Sequence, residues 1–205
     1  MLNKFLLSLT LLATVAIPLH SASAAESEVK VDLVQSNVDF TRYNKFLIQP
    51  LDTSDTRLVP PPWVEGSDGK PRAWAISDKN AEFLQNQYHR AMKNQLQKLG
   101  GYALVEEPDN DVLAVEIEII SLTPYAQPGD KVITKGSGEM TFRAEVRDSM
   151  TRAILVIFEG DTPVGDDYQE NTEFSVDQNV DALFNGWGEY LRLALDEVKR
   201  TAPPK

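Results

Sequence analysis

Carboxylates are the reactive groups this chain holds in quantity: 31 Asp and Glu stand against 20 Lys and Arg, a formal net charge of −11. Glu116 and Glu118 sit two apart in an alternating stretch, so both fall on one face of a strand. Two carboxylates on one face are the minimum equipment of a glycosidase-type hydrolase, one serving as acid and the other as base or nucleophile. The bland reading is a solvated sheet face kept wet by its acids. Asp161, Asp166, Asp167 and Glu170 crowd a second stretch, 161–173, and hard oxygens of that kind suit calcium. The EF-hand spacing is missing from it, and acidic loops are usually just solvated, so the solvated loop is the preferred reading and calcium the minor one.

Other chemistries find little footing. His20 falls in the leader described below, which leaves His89 as the one imidazole of the mature chain, mid-helix beside Arg90 and read as a surface residue. No G-x-S-x-G turn presents a nucleophile to it. The sequence has no cysteine, which removes thiolate catalysis and His/Cys zinc sites. Lys135-Gly136-Ser137-Gly138 is too short for a phosphate loop and leads into a strand, so it reads as a flexible turn. Lys and Arg are scattered without an aromatic stripe, and the acidic surface repels phosphate backbones; no nucleic-acid role follows. No catalytic residue, cofactor site or metal-ligand set is assigned, and the reading leans away from an enzyme.

The strongest functional candidate is a loop. Pro60, Pro61, Pro62 and Trp63, with Trp74 further on, combine a stiff pre-extended backbone with large contact area, a pairing common in protein recognition. Pro61, Pro62, Trp63 and Trp74 are the candidate interaction residues. The competing reading has both tryptophans folded back over an open part of the sheet.

The elements that must position these groups begin after a leader. Lys4, the apolar run FLLSLTLLATVAIPL and Ser21-Ala22-Ser23-Ala24-Ala25 have the order of a secretory signal, with cleavage after Ala24 or Ala25. Residues 1–25 are read as removed, and the loss of Lys4 moves the charge by one, to −12. About 180 residues remain, enough for one cored domain. The expected site of action is periplasm or medium, and no later run is long enough to span a membrane.

Residues 26–44 read as a loosely held lead-in, 45–200 as a single domain with a long loop at 52–76, and 201–205 as a tail. Lys45 to Leu51 is a first strand. Ser77 caps a helix whose stripe is Ala81, Leu84, Tyr88, Met92, Leu96 and Leu99. Gly100-Gly101 ends it. Tyr102 to Val105 is a short strand. The organising strand, Leu113 to Leu122, alternates Leu113, Val115, Ile117 and Ile119 with Ala114, Glu116 and Glu118. A loop at 124–135, an alternating strand at 139–147, a tight connection at 148–152 and an apolar run at 153–158 follow. Glu116 and Glu118 are placed to meet Arg143 and Arg147 across the wet face. Residues 160–172 read as irregular. Ser175 with Gln178 fits a capping box for a last helix with stripe Val176, Val180, Leu183, Phe184, Trp187, Leu191, Ala194 and Val198. Gly186 and Gly188 flank Trp187, which predicts close packing there. The fold class is α+β: an antiparallel or mixed sheet of about five strands with two long helices on one face.

Three stretches carry a resemblance: Tyr43-Asn44-Lys45-Phe46-Leu47-Ile48, Leu99-Gly100, and Arg147-Asp148-Ser149-Met150-Thr151-Arg152. Together they resemble the bacterial family of domain of unknown function 3313, exported and mostly lipoproteins. The resemblance implies compartment and fold, and no activity. Members usually carry a lipobox cysteine and a Gly after the Thr of the last turn. This chain has no cysteine and has Arg152 there, so membrane tethering is not implied. In element order alone the chain is also similar to small envelope domains that dock other proteins.

The expected function is therefore a non-enzymatic binding or interaction module, soluble after export, with another envelope protein as partner. A carboxylate-based hydrolase, with or without calcium, is the first alternative. A small-molecule carrier is the second and requires an apolar cavity between helices and sheet.

Overall fold

The computed structural model describes residues 28–35, 38–60, 76–127 and 129–201. The expected interaction residues Pro61, Pro62, Trp63 and Trp74 lie outside these, as does the leader.

The strand expected to organise the chain does so. Val112–Pro124 (β5) pairs with three other strands and supplies Leu113, Val115, Ile117 and Ile119 to the core, each 5% exposed or less. Counted along the chain, the other strands are Glu28–Val34 (β1), Lys45–Ile48 (β2), Arg57–Leu58 (β3), Ala103–Leu104 (β4), Ile133–Lys135 (β6), Gly138–Asp148 (β7), Ile154–Val164 (β8) and Tyr168–Glu170 (β9). Seven form one mixed sheet in the order β1-β8-β7-β5-β2-β4, with β3 also on β5, while β6 and β9 make a separate antiparallel ribbon. The fold is α+β as expected, with more strands than the five anticipated.

The first helix, Asp78–Met92 (α1), starts at Ser77, whose hydroxyl accepts Asn80 N–H at 3.2 Å. It continues as a π-helical segment, Lys93–Leu99, before Gly100. A Cβ on Gly100 would come within 2.7 Å of Leu96 O and 2.9 Å of Arg192 Cδ, so this position is held by crowding. The left-handed residue is the next one, Gly101, at φ 71°. The second helix, Glu173–Thr201 (α2), packs on α1 through Tyr88 and Phe184, whose rings meet edge-on at 5.7 Å. Trp187 rests on Phe142 of β7 at 4.2 Å and Tyr190 on Phe158 of β8 at 5.5 Å, which fixes α2 on the same sheet face.

Several expectations change. The described residues of the expected loose lead-in are held in place: β1 pairs with β8 from Glu28↔Asp161 to Val34↔Val156, and Tyr43 is 1% exposed. Residues 160–172 are largely strand, because β8 runs on to Val164 and β9 follows. The last helix starts two residues before Ser175. Thr172 Oγ1 accepts Ser175 N–H at 3.1 Å while Ser175 Oγ accepts Thr172 N–H at 3.0 Å, a reciprocal cap with Thr172 in the leading role. Ala114, expected on the wet face, is fully buried, and Leu99 and Val198, expected in the stripes, are 61% and 41% exposed. Leu195 takes the place the stripe gave to Ala194 and Val198, at 5% exposed. Close packing around Trp187 holds on one side: a Cβ on Gly188 would meet Gln95 Cβ at 2.9 Å, whereas Gly186 faces open space.

Candidate functional site

The wet face of the sheet is an ion-pair lattice. Glu116 is engaged by Arg147, at 3.1 Å, and by Arg152; Arg147 also meets Glu145. Glu118 stands opposite Arg143 in register, but the ion pairs of Arg143 run to Glu145 at 3.1 Å and Glu159 at 3.3 Å. Glu116 stands opposite Glu145 with Arg147 bridging the two, and Glu118 stands exposed opposite Asp52, so the neighbouring acids meet on the sheet face and line no pocket found among the described residues. The Glu116 carboxylate is thus taken up by ion pairs with two guanidiniums on the sheet face. The four acids considered for calcium are likewise dispersed. Asp161 lies on β8 and accepts Thr141 Oγ1 at 2.6 Å, while Glu170 belongs to β9. Among the described residues no group of three or more His, Asp or Glu is placed to hold a metal ion.

Asp148 carries the densest polar constellation, within one of the stretches that prompted the family resemblance. Its Oδ1 accepts Thr151 N–H at 2.8 Å, Met150 N–H at 3.1 Å and Thr151 Oγ1 at 3.0 Å. Its Oδ2 accepts the Tyr43 hydroxyl at 2.8 Å and the Arg42 guanidinium. Burial by itself would raise the Asp148 pKa, but the Thr151 amide, the Tyr43 and Thr151 hydroxyls and the Arg42 charge outweigh it and hold the carboxyl below its ordinary value. Burial, then the bond to Asp148, push the Tyr43 phenol up. With every acceptor position taken and 4% exposure, Asp148 is a turn anchor that binds the start of the chain to the β7–β8 hairpin.

Two surfaces remain that could meet another molecule. The first is the β6–β9 ribbon. Its register, Ile133↔Glu170 and Lys135↔Tyr168, places these four side chains on one face, with Thr134 and Gln169 on the other. Tyr168 is 78% exposed, Ile133 69%, and Phe174 in the first turn of α2 69%, the three highest exposures of any large apolar side chain described. The ribbon is held rigidly from behind. Gly136 (φ 72°) packs against the Gly165 carbonyl, Ser137 N–H donates to Val164 O at 2.7 Å, and Asn179 Nδ2 donates to Ser137 Oγ at 2.8 Å. The turn read as flexible at 135–138 is therefore close-packed. The sequence signal for the ribbon was weak, since each of its strands has three residues and its partner lies far along the chain.

The second surface is an open groove of about 410 Å³ where the end of α1 overhangs the edge of the sheet. His89, Lys93 and Gln97, four residues apart, form its helical wall; Leu47, Ile48, Leu104 and Val105 line the strand side, with Gln49 and Glu106 completing it. His89 is exposed, as expected, but it borders this groove. Lys93 and Gln97 belong to the π-helical segment.

Comparison with solved structures finds distant likenesses in fold. The PelC dodecamer from Paraburkholderia phytofirmans is 8% identical, with 82% of this chain and 98% of that chain covered and a TM-score of 0.38. A DUF330 protein from Xanthomonas campestris is 8% identical, with 77% and 88% covered and a TM-score of 0.45. A minor lipoprotein from Acinetobacter baumannii is 11% identical, with 74% and 94% covered and a TM-score of 0.32. Comparison with curated proteins gives no match. The conserved pattern that fits residues 19–191 is that of the proteins of unknown function DUF3313, and the chain belongs to that family.

Proposed function

We propose that the protein is exported, loses residues 1–25, and works in the cell envelope as a non-catalytic binding module that meets another envelope protein through the ribbon face. The observation that carries this is the exposure of Tyr168 and Ile133 on one face of the ribbon, with Phe174 exposed a few residues further along the chain. Scattered apolar exposure is ordinary on proteins; aromatic and branched side chains together, rimmed by Lys135 and Glu170, have the make-up of an interaction patch. Export is supported by the charge, length and small-residue order of the first 25 residues. The hydrolase alternative lacks such support, since Glu116 is held by Arg147 and Arg152. Carriage of a small molecule has the groove in its favour as a second role.

The cysteine-free sequence makes the test clean. Tyr168→Cys and, as control, Glu189→Cys on the outer face of α2 each give a single thiol for a photo-crosslinker attached in intact cells. A defined adduct from Tyr168→Cys alone, on a protein recovered by osmotic shock with its first 25 residues gone, is the expected result. Identical adducts from both positions would refute the ribbon, and cytosolic protein with an uncut leader would refute export.

A further inference from the structure

We infer that the groove between α1 and the edge of the sheet binds a small amphipathic monocarboxylate, with its anionic end at Lys93 and its apolar body along Leu104 and Val105. This rests on the carrier role proposed above and names its ligand class. A volume of about 410 Å³ falls within the range of small-molecule sites. At ~30 Å³ per water-sized group it admits on the order of a dozen heavy atoms.

The walls differ chemically. Leu47, Ile48, Leu104 and Val105 make most of the strand side apolar, with Gln49 and Glu106 as its polar groups, while the helical side is polar throughout and carries the lining's one ammonium, Lys93. Lys93, like Lys30, Lys79, Lys98, Lys131 and Lys135, has no carboxylate within ion-pair distance among the described residues, and of these it is the one that lines the groove. In a chain of net charge −11, a lysine left without a carboxylate beside a hollow is a place for an anion from outside.

The backbone adds two independent signs. The segment Lys93–Leu99 is wound as a π-helix, a form that is rare and recurs at functional sites, and it is this segment that sets Lys93 and Gln97 on the groove. Strand alternation gives the second. Phe46 O accepts Val105 N–H at 2.9 Å on the β4 side, and Gln49 N–H donates to Val115 O at 3.0 Å on the β5 side. Ile48 has the parity of Phe46, so its amide faces the β4 side just where that strand has ended at Leu104. A carboxylate bound at Lys93 thus meets one ammonium and one backbone donor, its chain meets aliphatic side chains, and Glu106 is the one acid of the lining that it must stay clear of.

Octanoate, of about ten heavy atoms, is the probe, with octanamide as its uncharged counterpart. Titration of the purified protein by two-dimensional amide NMR is expected to shift Ile48, Lys93, Leu104 and Val105 with octanoate. Lys93→Met, an exposed change that leaves the core intact, is expected to weaken binding about fivefold, and octanamide to bind the parent protein more weakly by a similar factor. Equal binding of both compounds, unchanged by Lys93→Met, would overturn carboxylate recognition while leaving the carrier role standing. No shift at the groove with either compound at millimolar concentration would overturn both.

Discussion

Replacing Asp148 tests whether the segment that carries the family resemblance is structural. In Asp148→Asn the Oδ1 position can still accept from Met150 and Thr151, but an amide NH₂ then faces the Tyr43 hydroxyl and the Arg42 guanidinium. Tyr43 can turn its hydroxyl to accept, whereas Arg42 has only donors and loses its partner. A hydrogen bond to a charged group is worth about 1.5–3 kcal/mol, and the Arg42 side chain is 51% exposed, which places the loss near the lower end, about 2 kcal/mol. Asp148→Ala also strands the Met150 and Thr151 amides and is expected to cost about 4 kcal/mol. The pH dependence follows from the depressed carboxyl. Stability from the ionised Asp148 is complete above the unfolded carboxylate value of about 3.9 and is lost as pH falls through the lower folded value. Urea unfolding followed by the fluorescence of the tryptophans, among them Trp187 on Phe142, should show the gap between parent and Asp148→Asn steady from pH 7 to about pH 5 and closing below about pH 4. A gap under about 0.5 kcal/mol at pH 7, or one that persists unchanged in acid, would refute the assigned role.

Three further substitutions are read by the same urea assay. Tyr88 is 0% exposed and its hydroxyl has no hydrogen-bond partner among the described residues, so Tyr88→Phe is expected to be neutral or to stabilise by up to about 1 kcal/mol; a clear loss would mean the hydroxyl is bonded. Gly186→Ala should stabilise by about 1 kcal/mol through helix propensity, whereas Gly188→Ala drives a Cβ into Gln95 and should destabilise by about 1 kcal/mol; equal effects would contradict this packing. Arg152 has φ 62° and an ion pair with Glu116, so Arg152→Gly should be more stable than Arg152→Ala by about 1 kcal/mol, since both lose the pair and glycine alone escapes the backbone cost; the reverse order would refute the left-handed assignment.

The readable parts of the fold were those where burial is one-sided and local. β5 and β7 each put one face on the core and one in water, and their alternation carried through to Ile119 and Val146 with few exceptions. Ala114 was an exception because it lies between Leu47 and Arg147 in register, and those neighbours close over a small side chain. β1 has the same alternation in Val29, Val31 and Leu33, but its pairing depends on β8 more than a hundred residues away, and a polar stretch beside a leader reads as a lead-in without that partner. The ribbon strands are shorter still. Gly136 and Gly165, which marked flexibility in the sequence, serve close approach of two backbones. The π winding before Gly100 has no residue pattern of its own, so the groove was invisible although His89, Lys93 and Gln97 were all in view.

Of the acids that first suggested chemistry, Glu116 meets two arginines and Asp161 accepts from Thr141, and several other acids are occupied by structure in the same way. Glu116, Glu145 and Glu159 meet arginines across the sheet; Asp148 anchors a turn; Asp181 meets Arg90 between the helices at 2.8 Å. A carboxylate spent in this way is held by its partner, so each such contact leaves it poorly placed to meet a substrate as acid or base. Side chains at the ribbon are in the opposite condition. Tyr168 and Ile133 are positioned on one face of the paired strands, and their apolar area, worth about 25 cal/mol per Å² on burial, is left unburied. Phe46, Tyr88 and Phe184 are completely buried while Tyr168 and Ile133 of the ribbon stay exposed, and the proposed interaction role rests on that contrast and on no carboxylate pair.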